Sequence, residues 1–322
     1  MEFGRLGKTG MVVSRLCMGT MQFGWSIGEA ESITILNTCF EAGINFFDTA
    51  DVYSNWVAGN PGGVAESILG TWIKTSKVPR KDIILATKVR GAMGEGINNQ
   101  GLSRVHILQA VEASLRRLQT DYIDLYQAHS PDKGTPIDET MRAFDDLIQQ
   151  GKVRYIGASN YQAGELMEAL WSSERLGLAR YDCLQPKYNL IQRSEFEAEL
   201  RPLCMKHGLG VIPYSPLRGG FLTGKYRRNK PLPESKRADS AAKYLTEQNL
   251  NVLDRLEEIS RNHNGTVAKV ALAWMLADPV ISSPIISATT TDQLSENLGS
   301  LKIKLNSEEI QILNKITEWN NQ

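Results

Sequence analysis

This chain of 322 residues has few features that would mark it for secretion, membrane insertion or nucleic-acid binding. Its four cysteines, Cys17, Cys39, Cys183 and Cys204, stand far apart, so neither a disulfide framework nor a thiolate metal site is indicated. Lys plus Arg and Asp plus Glu number 36 each, so no charge excess drives binding to a polyphosphate or an anionic membrane. We therefore expect a cytoplasmic protein that binds neither nucleic acid nor membranes.

Long apolar runs are also missing. The longest ones, such as residues 270–277, fall well short of the roughly 20 residues that span a bilayer. Residues 1–14 lack the basic and apolar regions of a signal peptide. What is present, 42% hydrophobic and 22% charged residues, is ordinary for a folded protein. Because no linker or low-complexity tract interrupts the chain, we expect a single domain over residues 1–322.

Short apolar strands alternate with helices along the whole chain. Strands are predicted at residues 15–19, 44–48, 83–88, 122–129, 153–158, 183–185, 210–214 and 284–286. Helices are predicted at residues 30–42, 65–76, 103–118 and 135–151, and near Leu166, Glu195 and Val267. Such alternation gives parallel strands joined by right-handed crossovers, and eight of them close best as a (β/α)₈ barrel of the TIM type. An open, doubly wound sheet is the alternative.

Further signals mark the two ends of the chain and one helix. Residues 1–14 hold three glycines between short apolar pieces, which favours an N-terminal hairpin covering the barrel floor. Asn306 and Glu309 begin a predicted C-terminal extra helix that runs to about residue 317. In the best-marked helix, Thr135 is expected to be the N-cap and Pro136 the first helical residue.

Polar side chains close six of the predicted strands. They are Asp48, Lys88, His129, Ser159 with Asn160, Gln185, and Tyr214 with Ser215. A single polar residue at the end of a strand is usually just exposed to solvent or paired in a salt bridge. In a barrel, however, the carboxyl ends of the strands form the active site. Six such ends together therefore indicate a candidate site.

Asp48, Tyr53, Lys88 and His129 suggest acid–base chemistry. Asp48 and Lys88 on adjacent strands are expected to pair, and Tyr53 follows on the same loop as Asp48. An ammonium beside a phenol stabilises the phenolate, so we expect Lys88 to lower the pKa of Tyr53 from its usual value of about 10. His129 is placed to donate to a carbonyl oxygen that gains negative charge. The alternative is a buried salt bridge with two ordinary neighbours.

Metal and phosphate motifs are missing. His106 is expected on a helix surface and His207 and His263 near helix ends, and no HExxH or paired histidines have metal-ligand spacing, so no catalytic metal is expected. No Walker-type phosphate loop is present, because Glu2 stands where the motif needs a glycine. No GxGxxG motif follows the first strand either. Any nucleotide must be held in some other way.

Several short motifs resemble one enzyme family over essentially the whole chain. They are GTM at 19–21, DTADVY at 48–53, ATK at 86–88, QAH at 127–129, GASN at 157–160, YSPL at 214–217 with GK at 224–225, and Gln293 with Glu296 and Asn297. The chain resembles the aldo-keto reductases, in particular the bacterial type and the branch similar to potassium-channel β subunits.

The resemblance implies a catalytic tetrad of Asp48, Tyr53, Lys88 and His129 in a barrel that binds a nicotinamide dinucleotide without a Rossmann domain. Tyr53 would give a proton to the oxygen of an aldehyde or ketone that receives a hydride, and His129 would steady that oxygen. The implied cofactor-binding residues are Gly19, Thr20, Met21, Asp48, Ser159, Asn160, Gln185, Tyr214, Ser215, Pro216, Leu217, Gly220, Lys225, Ser287, Thr289, Thr290, Gln293, Glu296 and Asn297.

The substrate pocket is expected at Trp25, Asn55 and Trp56, together with His129, although large loop aromatics pack under a lid equally often. Sugars, quinone-like carbonyls and small xenobiotics are all candidate substrates. Thr289 stands where the family often has a cation for a 2′-phosphate, which weakens the case for NADP. We expect NADP(H), with NAD as the alternative, and a monomer rather than an oligomer.

Two other functions stay open. The barrel could be a non-catalytic regulator that binds nicotinamide cofactor, as the resemblance to channel β subunits implies. It could also be an aldolase that forms a Schiff base on Lys88. Asp48 opposes the aldolase because a neighbouring carboxylate disfavours the uncharged amine.

Overall fold

Eight parallel strands form the barrel in the computed structural model, which describes residues 1–228, 230–233 and 238–319. They are β3 (Cys17–Gly19), β4 (Phe46–Asp48), β5 (Ile84–Val89), β6 (Ile123–Ala128), β7 (Val153–Ser159), β8 (Tyr181–Gln185), β9 (Gly210–Val211) and β10 (Ile285–Ile286). From β3 to β9 each strand pairs with the next along the chain, and β10 pairs with β3, so β9 and β10 are the two ends of the sheet. Ile285 N donates to Pro213 O at 2.9 Å and links the two ends of the sheet. The prediction of a (β/α)₈ barrel is confirmed.

Helices surround the sheet and connect its strands. They are α1 (Glu29–Glu41), α2 (Val64–Thr75), α3 (Arg104–Leu118), α4 (Ile137–Gln149), α5 (Ala163–Leu176), α6 (Arg201–His207), α7 (Ala238–Ala242), α8 (Glu247–Asn262), α9 (Val267–Ala277), α10 (Thr291–Gly299) and α11 (Ser307–Ile316). None of these helices in the described part of the chain is long and apolar enough to cross a membrane.

Three local predictions differ from the structure. Helix α4 begins at Ile137 with Pro136 as its N-cap, because the hydroxyl of Thr135 donates to Asp132 at 2.8 Å instead of capping the helix. Strand β9 ends at Val211, two residues before Pro213, which has no N–H for a strand ladder. Helix α8, between β9 and β10, was not predicted. The segment at residues 227–242 falls partly outside the described residues.

The N-terminal hairpin closes the bottom of the barrel. Strands β1 (Phe3–Arg5) and β2 (Val12–Ser14) pair antiparallel, and Leu6, Met11 and Val13 pack against the inward residues of the barrel strands. Gly7 is required at the tip, since its φ is +56° and a Cβ there would lie 2.3 Å from Gly210 N. With this end closed, the open end is the one at which the strands finish.

The last helix folds as predicted. Asn306 is the N-cap of α11, and its side chain and that of Glu309 form a reciprocal capping box. His263, at the end of α8, lies 2.9 Å from a carboxylate oxygen of Glu309. This contact ties the final helix to the helical layer of the barrel.

Candidate active site

The ammonium of Lys88 is the centre of a polar cluster at the carboxyl end of the barrel. It donates to Asp48 Oδ2 at 2.6 Å, to Thr49 O at 2.8 Å and to Tyr53 Oη at 3.1 Å. Lys88 is completely buried, and Asp48 is 1% exposed. Since an ammonium has three protons, all of its hydrogen-bonding capacity is used. The expected pairing of Asp48 with Lys88 is present, with the phenol in contact.

These contacts set the protonation state of Lys88. Burial alone favours the neutral amine, but the charge of Asp48 and the oxygen of Tyr53 outweigh it and raise the pKa of Lys88 above its ordinary value. A Schiff base requires a free, neutral amine. The bonded ammonium therefore argues against the aldolase alternative.

The pKa of Tyr53 corrects the prediction from the sequence. Burial raises this pKa above its usual value of 10.0, and the neighbouring ammonium of Lys88 offsets only part of that rise. Lys88 does act to lower the pKa of Tyr53, as expected, but burial is the larger effect, so the net pKa of the phenol is raised rather than lowered. The phenol is protonated at neutral pH, which is the form that a proton donor needs.

Tyr53 is held by the loop that follows β4. Its neighbour Ser54 is buried, adopts a left-handed φ of 73° and donates through Oγ to Phe23 O at 2.7 Å. Asn60, further along this loop, donates to Gly24 O at 3.1 Å. The loops after β3 and β4 are thus tied together, and Tyr53 is fixed over Lys88.

His129 follows β6 and lies beside the phenol. The rings of Tyr53 and His129 are 5.9 Å apart and nearly perpendicular. Burial, together with the charges of Lys88 and Arg90, lowers the pKa of His129 to about 3. The imidazole is neutral at physiological pH, so it is suited to donate a hydrogen bond to an oxygen rather than to supply a cation.

A second set of contacts holds the other oxygen of Asp48. Gln127 Nε2 and Gln185 Nε2 donate to Asp48 Oδ1 at 3.1 and 2.9 Å, and Gln185 Nε2 also donates to Gln127 Oε1 at 3.1 Å. The carboxylate is therefore fixed by the ammonium on one side and by two amides on the other. Both N–H groups of Gln185 are used, so its carbonyl oxygen is the group it can offer to a ligand.

A cavity of about 910 Å³ opens above this cluster. Asp48, Tyr53 and His129 contribute to its wall. Every other residue predicted to bind the cofactor also lines it, except Thr20. The cavity is within the size range of ligand sites, and the segments that line it run along the chain from β3 to α10.

The end of the cavity near Tyr53 is lined by groups suited to a flat amide-bearing ring. Tyr214 donates to Asn160 Oδ1 at 2.8 Å, and Asn160 Nδ2 donates to Ser159 Oγ at 3.1 Å and to His129 O at 2.9 Å. The Tyr214 ring is partly exposed. Amide and hydroxyl groups thus lie next to an aromatic ring at this part of the cavity wall.

The far end offers backbone groups and one cation. The turn at 215–220 contains Gly219 and Gly220 in left-handed conformations, and such turns present N–H groups to anions. Lys225 is the only Lys or Arg among the described residues that line the cavity. At helix α10, Thr289 N and Oγ1 both donate to Gln293 Oε1, at 2.9 and 3.1 Å. The two donors of Thr289 are thus used within the protein, and the 215–220 turn with Lys225 is the part of this wall suited to a pyrophosphate.

Comparison with known proteins identifies the family. Residues 15–318 match the model of the Aldo/keto reductase family. This chain belongs to that family. It is 40% identical over 321 residues to uncharacterized oxidoreductase YrpG of Bacillus subtilis (strain 168), covering 98% of this chain and 96% of the relative. The resemblance stated from the sequence motifs is confirmed.

Two further relatives of this aldo/keto reductase differ in their described roles. A probable voltage-gated potassium channel subunit beta of Arabidopsis thaliana is 37% identical over 309 residues, which cover 94% of this chain and 92% of the relative. Versiconal hemiacetal acetate reductase of Aspergillus parasiticus is 36% identical over 341 residues, with 97% and 96% covered. Family membership and the oxidoreductase relatives support oxidoreductase chemistry.

Four residues predicted at the site of this aldo/keto reductase lie outside the cavity wall. Thr20 is buried, and its hydroxyl donates to Asp48 O at 3.1 Å, so it supports strand β4, and contact with the cofactor stays a prediction. Trp25 and Trp56 pack edge to face with ring centres 5.7 Å apart, and Asn55 is exposed beside them. Trp56 also lies 6.3 Å from the Tyr53 ring. The two tryptophans pack together, and substrate contact by them stays a prediction.

Other residues were misplaced or missed. His106, expected on a helix surface, is only 3% exposed, because it lies on the barrel side of α3. Gln22, Ile27 and Ala268 line the cavity without having been predicted. Gln127 belongs to the QAH motif but was not predicted as a site residue, yet it contacts Asp48. Gln127 precedes His129 by two residues, and side chains at this spacing lie on the same face of a strand. This spacing was the signal that Gln127 faces the site.

Proposed function

We propose that this protein reduces the carbonyl group of aldehydes or ketones to alcohols, using NADP(H) as the reductant. The observation that carries the proposal is the contact of Lys88 with both Asp48 and Tyr53 at the base of the cavity. Sugars, quinone-like carbonyls and small xenobiotics are the substrate classes to test. We further propose that the protein is cytoplasmic and acts as a monomer.

The cofactor is proposed to lie along the cavity. When bound, the reduced nicotinamide supplies a hydride to the carbonyl carbon. Tyr214 would stack on its ring, Ser159, Asn160 and the carbonyl oxygen of Gln185 would bind its carboxamide, and the 215–220 turn with Lys225 would hold the pyrophosphate. NADP(H) is favoured by the family, while the single cation leaves NAD(H) as the alternative.

Tyr53 is proposed to be the proton donor. Because Lys88 donates to Tyr53 Oη, the phenolic proton points elsewhere and is available to a carbonyl oxygen in the cavity. As the proton leaves, the ammonium stabilises the phenolate, and Asp48 keeps the ammonium in place. His129 would donate a hydrogen bond to the same carbonyl oxygen and stabilise its developing charge.

Replacing Tyr53 tests this mechanism. Tyr53→Phe should lower kcat about 10²- to 10⁴-fold, the usual range for a lost general acid, while NADPH binding is unchanged. Consumption of NADPH and NADH should be followed in parallel with an aldehyde, a ketone and a sugar. Tyr181→Phe is the matched control, because Tyr181 is also buried and its hydroxyl contacts that of Tyr161. Undiminished reduction by Tyr53→Phe would show that another group donates the proton.

A second function is favoured by the similarity to the Arabidopsis channel subunit. We propose as the alternative that the chain binds the cofactor as a regulatory subunit. Tight cofactor binding, a tetrameric assembly and negligible turnover of a nitrobenzaldehyde would support it. A monomer that turns over carbonyl compounds would favour the reductase.

A further inference from the structure

A buried glutamine lies beneath the proposed catalytic residues. Gln127 is on β6 and pairs in register with Lys88 on β5. Its side chain is completely buried, and side chains alternate along a strand, so it faces the same side as His129. A buried amide is costly unless it is hydrogen bonded. Its partners therefore indicate what this residue does.

The partners of Gln127 are Asp48 and Gln185. Its amide nitrogen donates to Asp48 Oδ1 at 3.1 Å, and its carbonyl oxygen accepts from Gln185 at 3.1 Å. Gln185 donates to the same Asp48 oxygen at 2.9 Å, which closes a ring of three side chains. The other oxygen of Asp48 lies 2.6 Å from Lys88 Nζ. The orientation of the carboxylate thus depends on both amides.

Strand β7 packs against the side chain of Gln127 and fixes its position. Gly157 on β7 pairs with Gln127, and a Cβ at this glycine would lie 3.3 Å from Gln127 Cγ and 3.1 Å from Cys183 O. The aliphatic part of Gln127 is therefore packed against bare backbone. A larger residue at 157 would push the amide away from Asp48.

We propose that Gln127 is a positioning residue, which orients the Asp48 carboxylate so that Lys88 stays in contact with Tyr53. This inference rests on the proposed reductase function. Gln127 is not among the residues that line the cavity. Its effect should therefore reach the reaction through Asp48 and Lys88. Gln185 keeps its own hydrogen bond to Asp48 Oδ1 at 2.9 Å, so a change at Gln127 should alter kcat without altering the binding of NADPH.

Two substitutions at this position separate positioning from packing. Gln127→Met keeps the length and removes both hydrogen bonds, so we expect kcat to fall about 10- to 100-fold with unchanged KM and unchanged NADPH binding by fluorescence. Gln127→Glu can donate to Asp48 only while it is protonated, and its carboxylate neighbour raises its pKa. We therefore expect its kcat to recover as the pH falls and to be lost as the pH rises.

Thr87→Val is the matched control. Thr87 is also completely buried, precedes Lys88 on β5 and donates to Glu66 Oε1 at 2.6 Å, away from Asp48. This variant should lose stability without a change in the pH profile of kcat. Wild-type kcat in Gln127→Met, or a pH profile of Gln127→Glu parallel to that of the wild type, would overturn the proposal. An equal fall in kcat in Thr87→Val would also overturn it.

Failure of the proposed function is distinguishable from failure of this inference. If the wild-type protein reduces no carbonyl compound, the reductase proposal fails, and the pKa of Tyr53 then tests Gln127 directly. Titration of isotopically labelled tyrosine by NMR should show a higher pKa for Tyr53 in Gln127→Met, because the charge of Asp48 is less well compensated. An unchanged pKa of Tyr53 in that variant would overturn the positioning role.

Discussion

The buried pair of Lys88 and Asp48 predicts a large and asymmetric effect on stability. The side chains are 0% and 2% exposed, so Lys88→Met leaves a carboxylate buried without its cation. Removing one partner of such a pair costs about 3–5 kcal/mol of the free energy of unfolding. Since Gln127 and Gln185 still donate to Asp48, we expect a value near the lower limit, about 3 kcal/mol.

The double variant should recover most of this loss. Lys88→Met with Asp48→Asn buries no charge, and its amide can still contact neighbouring polar groups, so we expect it to be more stable than Lys88→Met alone. Urea unfolding followed by tryptophan fluorescence at pH 7 measures both. With a slope of about 3 kcal/mol per molar urea, the single variant should unfold at about 1 M less urea than the wild type.

An exposed ion pair supplies the control for this experiment. Lys152 and Glu112 form an ion pair with side chains 35% and 44% exposed. Lys152→Met should change the free energy of unfolding by less than about 1 kcal/mol. The reasoning is refuted if Lys88→Met unfolds at the same urea concentration as the wild type. It is also refuted if adding Asp48→Asn lowers stability further.

Two more predictions concern charge at other positions. Asp51 is buried, and burial with the nearby charge of Glu66 raises its pKa well above the usual value, so its ionisation opposes folding above pH 4 or so. The melting temperature of Asp51→Asn minus that of the wild type should therefore increase as the pH rises from 5 to about 8. An equal difference in melting temperature at both pH values would contradict this. Thr289→Arg should strengthen NADPH binding about tenfold or more while leaving NADH binding unchanged, because it adds a cation near α10. The affinities for both cofactors can be measured by fluorescence. Identical affinities for NADPH and NADH would mean that a 2′-phosphate binds elsewhere.

The alternation of strands and helices made the barrel predictable, because parallel strands with short crossovers have few ways to close. The same rule places Asp48, Lys88 and His129 at one end of the barrel from the sequence alone. Strand limits were less certain, as at β9, where Pro213 shortens the strand. Helix α8 was missed although its apolar face is periodic in the sequence.

The protonation states could not be predicted in the same way. The sequence places a lysine near Tyr53, which alone would lower the pKa of the phenol. Only the packed structure shows that burial is the larger effect and that the pKa rises. Likewise, His129 is neutral because it is enclosed beside Lys88 and Arg90, two residues that are far from it in the sequence.

The sequence by itself determined the order of the elements and which polar residues end the strands, because both follow from local patterns of residue type along the chain. The tertiary structure alone decided how those residues meet: that Gln127 and Gln185 hold one oxygen of Asp48, and that Trp25 packs against Trp56 outside the cavity wall. Such contacts depend on rotamers and burial between distant segments, which no local pattern specifies.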